Sequence, residues 1–314
     1  MRVSFLDSAA LGHRFRVTKG KTPFMLKTRT GGFPIGFRRG WSDWQKDLPG
    51  VLEWAASQGM SVIDLGRDGD ESAKVAREAG FSVGSVDLAE WQGLLSPDGG
   101  KRRAAVQRNA EYVEACAVHG AHNHFLVMLP EDPARPRSEN FGYMVESLNG
   151  LSTFLEKHSS RLVIEGWPGP GALCCTPEGY RACFEQCPSA SIGVNYDPSH
   201  LVRMGIDAIR FVEEFKDRVY HVHGKDTELV QEALYEFGTE QPATFANAHG
   251  FGSHHWRYTI PGHGCIRWAR AFQVLADNGY RGAVSIELED ESFNGSEAGE
   301  KQGLVLGAAF LSGC

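Results

Sequence analysis

Eight short apolar runs alternate with about eight amphipathic stretches along this 314-residue chain, and that rhythm predicts an α/β protein folded as a (β/α)8 TIM barrel. Two further observations agree. The length suits one barrel of this kind. Four of the runs, all in the second half, end in a residue type that binds metal ions. A doubly wound open sheet is the main alternative, but no glycine-rich dinucleotide fingerprint follows the first run.

The first strand is expected at 32–37 and the first helix at 41–58, with Ser42 as its cap. The second strand, 60–65, leads to a helix near 71–79. The third, 81–87, leads to a long helix at 101–119. The fourth, 124–129, precedes a helix at 138–157. Strands five to eight fall at 161–165, 191–197, 218–223 and 282–287, with helices near 177–186, 206–215, 268–278 and 298–310. Short apolar runs bounded by turn residues mark buried strands of a parallel sheet.

Spacing singles out one irregular unit. Glu165 and Asp197 lie 32 residues apart, and Asp197 and His223 lie 26 apart, each about one βα unit. His223 and Glu287 lie 64 apart. The excess, 226–262, reads as a long loop insertion between the seventh and eighth strands, rich in Gly, His and aromatic residues. It follows a strand end, so it belongs on the catalytic face, as a lid or partner surface. The chain then divides into an N-terminal arm, 1–25, and a single barrel domain, 26–314.

The formal charge of −7 argues against a general nucleic-acid partner, because phosphate contacts need a basic surface. There is no apolar run long enough for a membrane span, and residues 1–25 lack the apolar region of a secretory signal. The expected location is the cytoplasm. Seven cysteines, an odd count, fit reduced thiols. Cys183 and Cys187, one helical turn apart, have a spacing that zinc can use, although buried idle thiols are the plainer reading.

The four strand ends carry Glu165, Asp197, His223 and Glu287. Side chains at the same end of neighbouring parallel strands converge, and three carboxylates with one imidazole make a cage for one divalent ion. The mix suits Mn²⁺ best, with Mg²⁺, Co²⁺ or Zn²⁺ as alternatives. An ion with open positions can take two sugar oxygens and polarise a carbonyl. A ligand glutamate with a free oxygen can move the proton of the adjacent carbon, so Glu165 and Glu287 are the catalytic candidates. His200, three residues beyond Asp197, is a second ligand or a substrate partner. His221 shares a strand face with His223 and lies one layer down. Asp226 holds a ligand imidazole, contacts substrate or starts a turn. Arg257 is a candidate for a sugar oxygen or a phosphate, and Trp167 for the apolar wall of a sugar ring. His122 and His124 begin the fourth strand, the wrong end for catalysis.

With these residues in view, the chain resembles the xylose-isomerase-like TIM-barrel superfamily, specifically its sugar phosphate isomerase/epimerase group. The likeness covers roughly 30–312. It rests on Val163-Ile-Glu165, Gly193-Val-Asn-Tyr-Asp-Pro-Ser-His-Leu201, His221-Val-His-Gly-Lys-Asp226, Ile260-Pro-Gly-His-Gly264 and Val284-Ser-Ile-Glu287. The likeness to ketose 3-epimerases implies one divalent ion on Glu165, Asp197, His223 and Glu287. It also implies proton exchange by the two glutamates, and substrate binding by His200 and Arg257. The insertion departs from those shorter enzymes. Gly224-Lys-Asp-Thr-Glu228 with Ile286-Glu-Leu-Glu-Asp290 is closer to an uncharacterised subgroup, many members of which have His where this chain has Leu288.

The C-glycoside deglycosidase catalytic subunits also look related. They are lyases that act on 3-oxo-glucosides with a divalent metal and a smaller partner subunit. The expected function is therefore a divalent-metal-dependent isomerase or epimerase acting through an enediolate on a keto sugar or derivative. The alternative is a lyase that cleaves a 3-oxo-glycoside, which would favour a roomy aglycone pocket walled by the insertion. The resemblance also implies an oligomer, with a small partner subunit in the lyase case. An apurinic endonuclease of the same superfamily would need more histidine ligands, and a non-catalytic sugar-binding barrel should have lost one of the four.

Overall fold

Eight parallel strands close into a barrel in a computed structural model that describes residues 25–314. The expected N-terminal arm lies, but for its last residue, outside the described residues. The strands are β1 (Ile35–Arg38), β2 (Val62–Leu65), β3 (Ser82–Asp87), β4 (Asn123–Val127), β5 (Arg161–Glu165), β6 (Ile192–Tyr196) and β7 (Val219–Gly224). Two strands of the insertion follow, β8 (Asp226–Leu229) and β9 (Trp256–Thr259), and then β10 (Val284–Ile286) completes the barrel. β10 pairs with β7 on one side and β1 on the other, and β1 pairs with β2. The expected (β/α)8 architecture is the one observed.

Helices surround the strands: α1 (Asp43–Lys46), α2 (Leu48–Ser57), α3 (Gly69–Glu78), α4 (Gly99–Val118), α5 (Arg137–Lys157), α6 (Pro177–Gln186), α7 (Pro198–Arg203), α8 (Ala208–Phe215), α9 (Gln231–Phe237), α10 (Trp268–Asp277) and α11 (Glu297–Ser312). The single helix expected at 41–58 is two. Asp47 leaves the helical region and Pro49 sits in the first turn of α2, where its missing N–H costs nothing. Helix α7 was not expected. The Asp197 carboxylate caps it by accepting from the Ser199 amide, and Pro198 opens it, so Asp-Pro-Ser is a helix start rather than a plain turn.

The insertion is not only a loop. β8 and β9 form an antiparallel ribbon from Asp226 opposite Thr259 to Leu229 opposite Trp256, and α9 lies between them. Thr227 on one arm and Trp256, Tyr258 and Thr259 on the other favour that pairing.

The inside of the barrel is polar beneath its mouth. Asp64, His221, His223 and Ser285 are fully buried there. The Asp64 carboxylate accepts from the Ser85 amide at 3.1 Å, the Ser285 hydroxyl at 2.8 Å and His221 Nε2 at 2.7 Å. Gly84 makes room for this group: a Cβ there would lie 2.2 Å from Asp64 Oδ1. His124 is buried elsewhere on β4, opposite Val86 and Leu162 and against the Tyr112 ring, with neither ring nitrogen hydrogen-bonded. All seven cysteines are free. Among the described residues, no metal-type ligand group includes Cys183 or Cys187.

Candidate metal centre

β5, β6, β7 and β10 are consecutive around the barrel, so their ends present four side chains to one volume. Glu165 closes β5, Asp197 follows β6, His223 lies near the end of β7 and Glu287 follows β10. His223 Nδ1 stands 2.7 Å from Glu165 Oε2 and 3.4 Å from Glu287 Oε2. His200, on the first turn of α7, brings Nε2 to 3.2 Å from Glu165 Oε1 and 3.4 Å from Asp197 Oδ2. One ligand atom from each of Glu165, Asp197, His200 and Glu287 lies within 4.8 Å of the others. The four expected ligands thus converge, and His200 joins them. His223 also belongs to a deeper group with Asp64 and His221.

These residues fit a divalent cation. Asp197 Oδ2 is buried without a hydrogen-bond partner, and Glu165, Glu287 and Asp64 crowd the buried His223 ring, which is costly unless a counter-charge satisfies them. A cation does so, and three carboxylates with imidazole are an apt donor set for one. Neighbours already fix the ligands. The Ser199 amide and hydroxyl donate to Asp197 Oδ1 at 2.9 and 2.6 Å, leaving Oδ2 open. Asn195 Nδ2 donates to Glu165 Oε2 at 2.7 Å. Asp64 Oδ2 lies 3.3 Å from His223 Nε2, behind the face that His223 turns to the glutamates. Outer partners of this kind orient ligands.

Two cations in the site were not anticipated. Lys225 is fully buried, with Nζ 2.5 Å from Glu287 Oε2, 2.9 Å from Glu289 Oε2 and 3.3 Å from Asp197 Oδ2. Arg38 pairs with Asp87 at 2.8 Å and Glu287 at 3.2 Å, and lies over the Phe125 ring, which stacks on His223. Both follow an apolar run by at most one residue, the signal that identified the ligands. Asp64 carried a signal too, as an acid inside the apolar Val62–Leu65 run.

Electrostatics keep the cage anionic. Burial pushes the Glu287 carboxyl up, but Lys225, then His223 and Arg38, hold it well below the usual range. Burial and Glu287 raise Glu165, yet His223 and His200 outweigh them and the net direction is down. Burial opposes a charge on His223, but Glu287, Glu165 and Asp64 raise its pKa well above the ordinary imidazole value.

Two expected substrate residues have other employment. Arg257 donates to Glu228 at 2.7 Å and also faces Asp290, Glu291 and Ser292. On β9 the alternate residues Trp256 and Tyr258 share one face, against Arg203, which puts Arg257 on the other. Tyr258 reaches the cage instead, its hydroxyl 2.6 Å from His200 Nδ1. Asp226 is fully buried. It accepts from the amides of Thr227, Gly262 and Ile266 and from the Trp268 indole. Its two oxygens hold the base of the insertion closed and leave none for substrate. Trp167 is half-buried beside Gly169. Among the described residues it makes no hydrogen bond or ion pair with the cage.

Residues 51–312 match the family described as xylose isomerase-like TIM barrel. Over 153 residues the chain is 27% identical to an inosose dehydratase of Clostridium tetani, covering 49% of this chain and 48% of that protein. It thus spans about half the length of the curated relatives it matches first. Among solved structures, a D-psicose 3-epimerase from Clostridium cellulolyticum H10 superposes with a TM-score of 0.64 at 16% identity, covering 89% of this chain and 99% of that one. A 3-keto-D-glucoside 4-epimerase from E. coli gives 0.64 at 14% identity, covering 89% and 99%. At such identities the likeness is one of fold.

Proposed function

The chain belongs to the xylose isomerase-like TIM-barrel family, and from that premise we propose that it is a divalent-metal-dependent enzyme that isomerises or epimerises a keto sugar or derivative through an enediolate. One observation carries the reading. Glu165 and Glu287 bracket His223 at 2.7 and 3.4 Å, beside an Asp197 oxygen that has no hydrogen bond.

Glu165, Asp197, His223 and Glu287 would hold the ion, with His200 as a further imidazole within reach; Mn²⁺ suits the set, and Mg²⁺, Co²⁺ and Zn²⁺ are the alternatives. When bound, it supplies charge that polarises a sugar carbonyl and lowers the cost of the enediolate. The chain's own residues do the rest. Both glutamates stay ionised, so each can accept a proton from the carbon beside a carbonyl. They come from opposite ends of the β5-to-β10 arc, so one can remove a proton and the other return it from the far side. The Lys225 ammonium can donate to an oxygen as charge grows on it. His200 binds a substrate hydroxyl if it does not ligate. Trp167 offers an apolar wall, and the insertion limits water.

A second reading is favoured by the inosose dehydratase relatives. Proton removal is shared, but a β-substituent then leaves, making the enzyme a lyase on a 3-oxo-glycoside or related ketone. A small partner subunit belongs with that reading, and an oligomer with either. None of the helices among the described residues is long and apolar enough to cross a membrane, and free thiols suit a cytoplasmic chain.

The test is incubation of metal-loaded protein with ketohexoses and 3-oxo-glucosides in D₂O. Deuterium gained next to the carbonyl with no group lost supports the epimerase, and a released aglycone supports the lyase. Glu165→Gln and Glu287→Gln should each keep the fold and abolish exchange. Absence of both exchange and elimination, or full activity in protein stripped of metal, overturns the proposal.

A further inference from the structure

We infer that the substrate is a glycoside whose second, uncharged ring lies outside the cage, over the loops that follow β3, β4 and β5. The inference rests on the reading of the cage as a keto-sugar site and adds the substrate class.

The cavities supply the path. A pocket of about 160 Å³ is lined by Arg67, Asp87, Trp91, Phe125 and Leu129. It abuts the cage through two of these residues. Phe125 stacks on His223 at 5.2 Å, and Asp87 holds the Arg38 that reaches Glu287. Trp91 and Leu129 also line a second pocket of about 600 Å³, walled further by Pro130, Pro133 and Pro170. The two share those residues, so they adjoin at the loops after β3 and β4, beside the cage. The outer pocket is already in the range of a small-molecule site, roughly 300–1,000 Å³. A monosaccharide held at the cage would leave it unused.

The lining states the chemistry. Trp91 and three prolines offer flat apolar surface, on which an aryl ring or the C–H face of a pyranose can stack. The outer wall is charge-balanced. Lys101 pairs with Glu131 at 3.0 Å and Arg108 with Glu90 at 3.2 Å. A phosphate there would have to break an ion pair, whereas a neutral ring would not. The aromatic insertion walls neither of these two pockets; its Phe251 lines a separate one with Arg38 and Glu287. Tyr235 and Phe245 of the insertion are almost fully exposed and line neither pocket.

The experiment compares the binding of methyl β-D-glucoside, phenyl β-D-glucoside and cellobiose to the metal-loaded protein by ligand-observed NMR titration. At least one two-ring probe should bind about tenfold more tightly than the methyl glucoside, and which one does distinguishes an aryl from a sugar aglycone. Trp91→Ala should erase the gain. Ala104 is exposed on α4 and lines the outer pocket, so Ala104→Trp should block that pocket without disturbing the core and should erase the gain as well. Equal binding of all three probes, no binding of either two-ring probe, or a gain that survives Ala104→Trp overturns the inference. Proton exchange on ketohexoses with no two-ring preference fails this inference alone. A two-ring preference with no exchange fails the catalytic reading alone.

Discussion

The Tyr258 hydroxyl lies 2.6 Å from Nδ1 of His200, whose Nε2 faces Glu165 and Asp197. The returning strand of the insertion is thereby joined to the cage through one imidazole. With Nε2 protonated toward the carboxylates, Nδ1 accepts from the tyrosine. With Nε2 giving its lone pair to a cation, Nδ1–H donates to the tyrosine oxygen. Either arrangement fixes the ring.

Tyr258→Phe removes that partner and little packing. It should lower turnover or metal affinity by roughly 10–100-fold, the usual effect of losing an outer partner of a ligand. The melting temperature should barely move. Steady-state kinetics and a metal titration with a competing chelator measure both, and an unchanged pair of values would show that the insertion is not coupled to the site.

Metal uptake should expel a proton. The folded pKa of His223 is raised above the ordinary imidazole value by Glu287, Glu165 and Asp64, against burial. At neutral pH the metal-free ring therefore holds a proton, which coordination must displace. Affinity should climb as pH rises toward the raised value and level off above it. Calorimetry in buffers of differing ionisation enthalpy counts the protons, and a count of zero at pH 7 contradicts this.

Asp226→Asn leaves one accepting oxygen where the chain supplies four donors from Thr227, Gly262, Ile266 and Trp268. Buried donors without partners cost about 1–3 kcal/mol each, so a loss of several kcal/mol is expected. Proteolysis should open the 226–262 segment first. Stability equal to wild type would return Asp226 to the candidates for substrate contact.

His124 should weaken the fold in acid. Burial, then His122, lower its folded pKa to about 3 from 6.5. The folded state therefore binds fewer protons than the unfolded, and stability is lost as pH falls below 6.5 towards 3. The slope approaches about 1.4 kcal/mol per pH unit. His124→Leu should flatten it, because neither ring nitrogen has a partner to forfeit. Urea midpoints at pH 7, 5.5 and 4.5 report the difference, which should widen as pH falls.

The barrel was legible because buried parallel strands are continuous apolar runs, and the four metal-type residues because each stands where such a run meets the mouth. Glu165 and Glu287 needed no more than that rule. The ion pairs of Arg257 were hidden because a cation in a turn-rich segment looks unsatisfied in sequence. Its acidic partners stand at Glu228 and Asp290–Ser292, and only the ribbon register shows that Tyr258 has the inward face. The donors of Asp226 were hidden similarly, since they come from residues up to 42 positions away. Lys225 was passed over because a lysine is read as surface until several carboxylates are seen around it.

Lys225 has a further consequence, for the order in which the protein matures. Three acidic side chains gathered without a counter-charge would resist folding until an ion arrived. Here an ammonium and the Arg38 guanidinium are already among them. The polypeptide can complete its tertiary structure first, and an ion bound at the cage would join it later. The identity of such an ion would then follow from the metals the cell has to offer a finished site rather than from those present at synthesis.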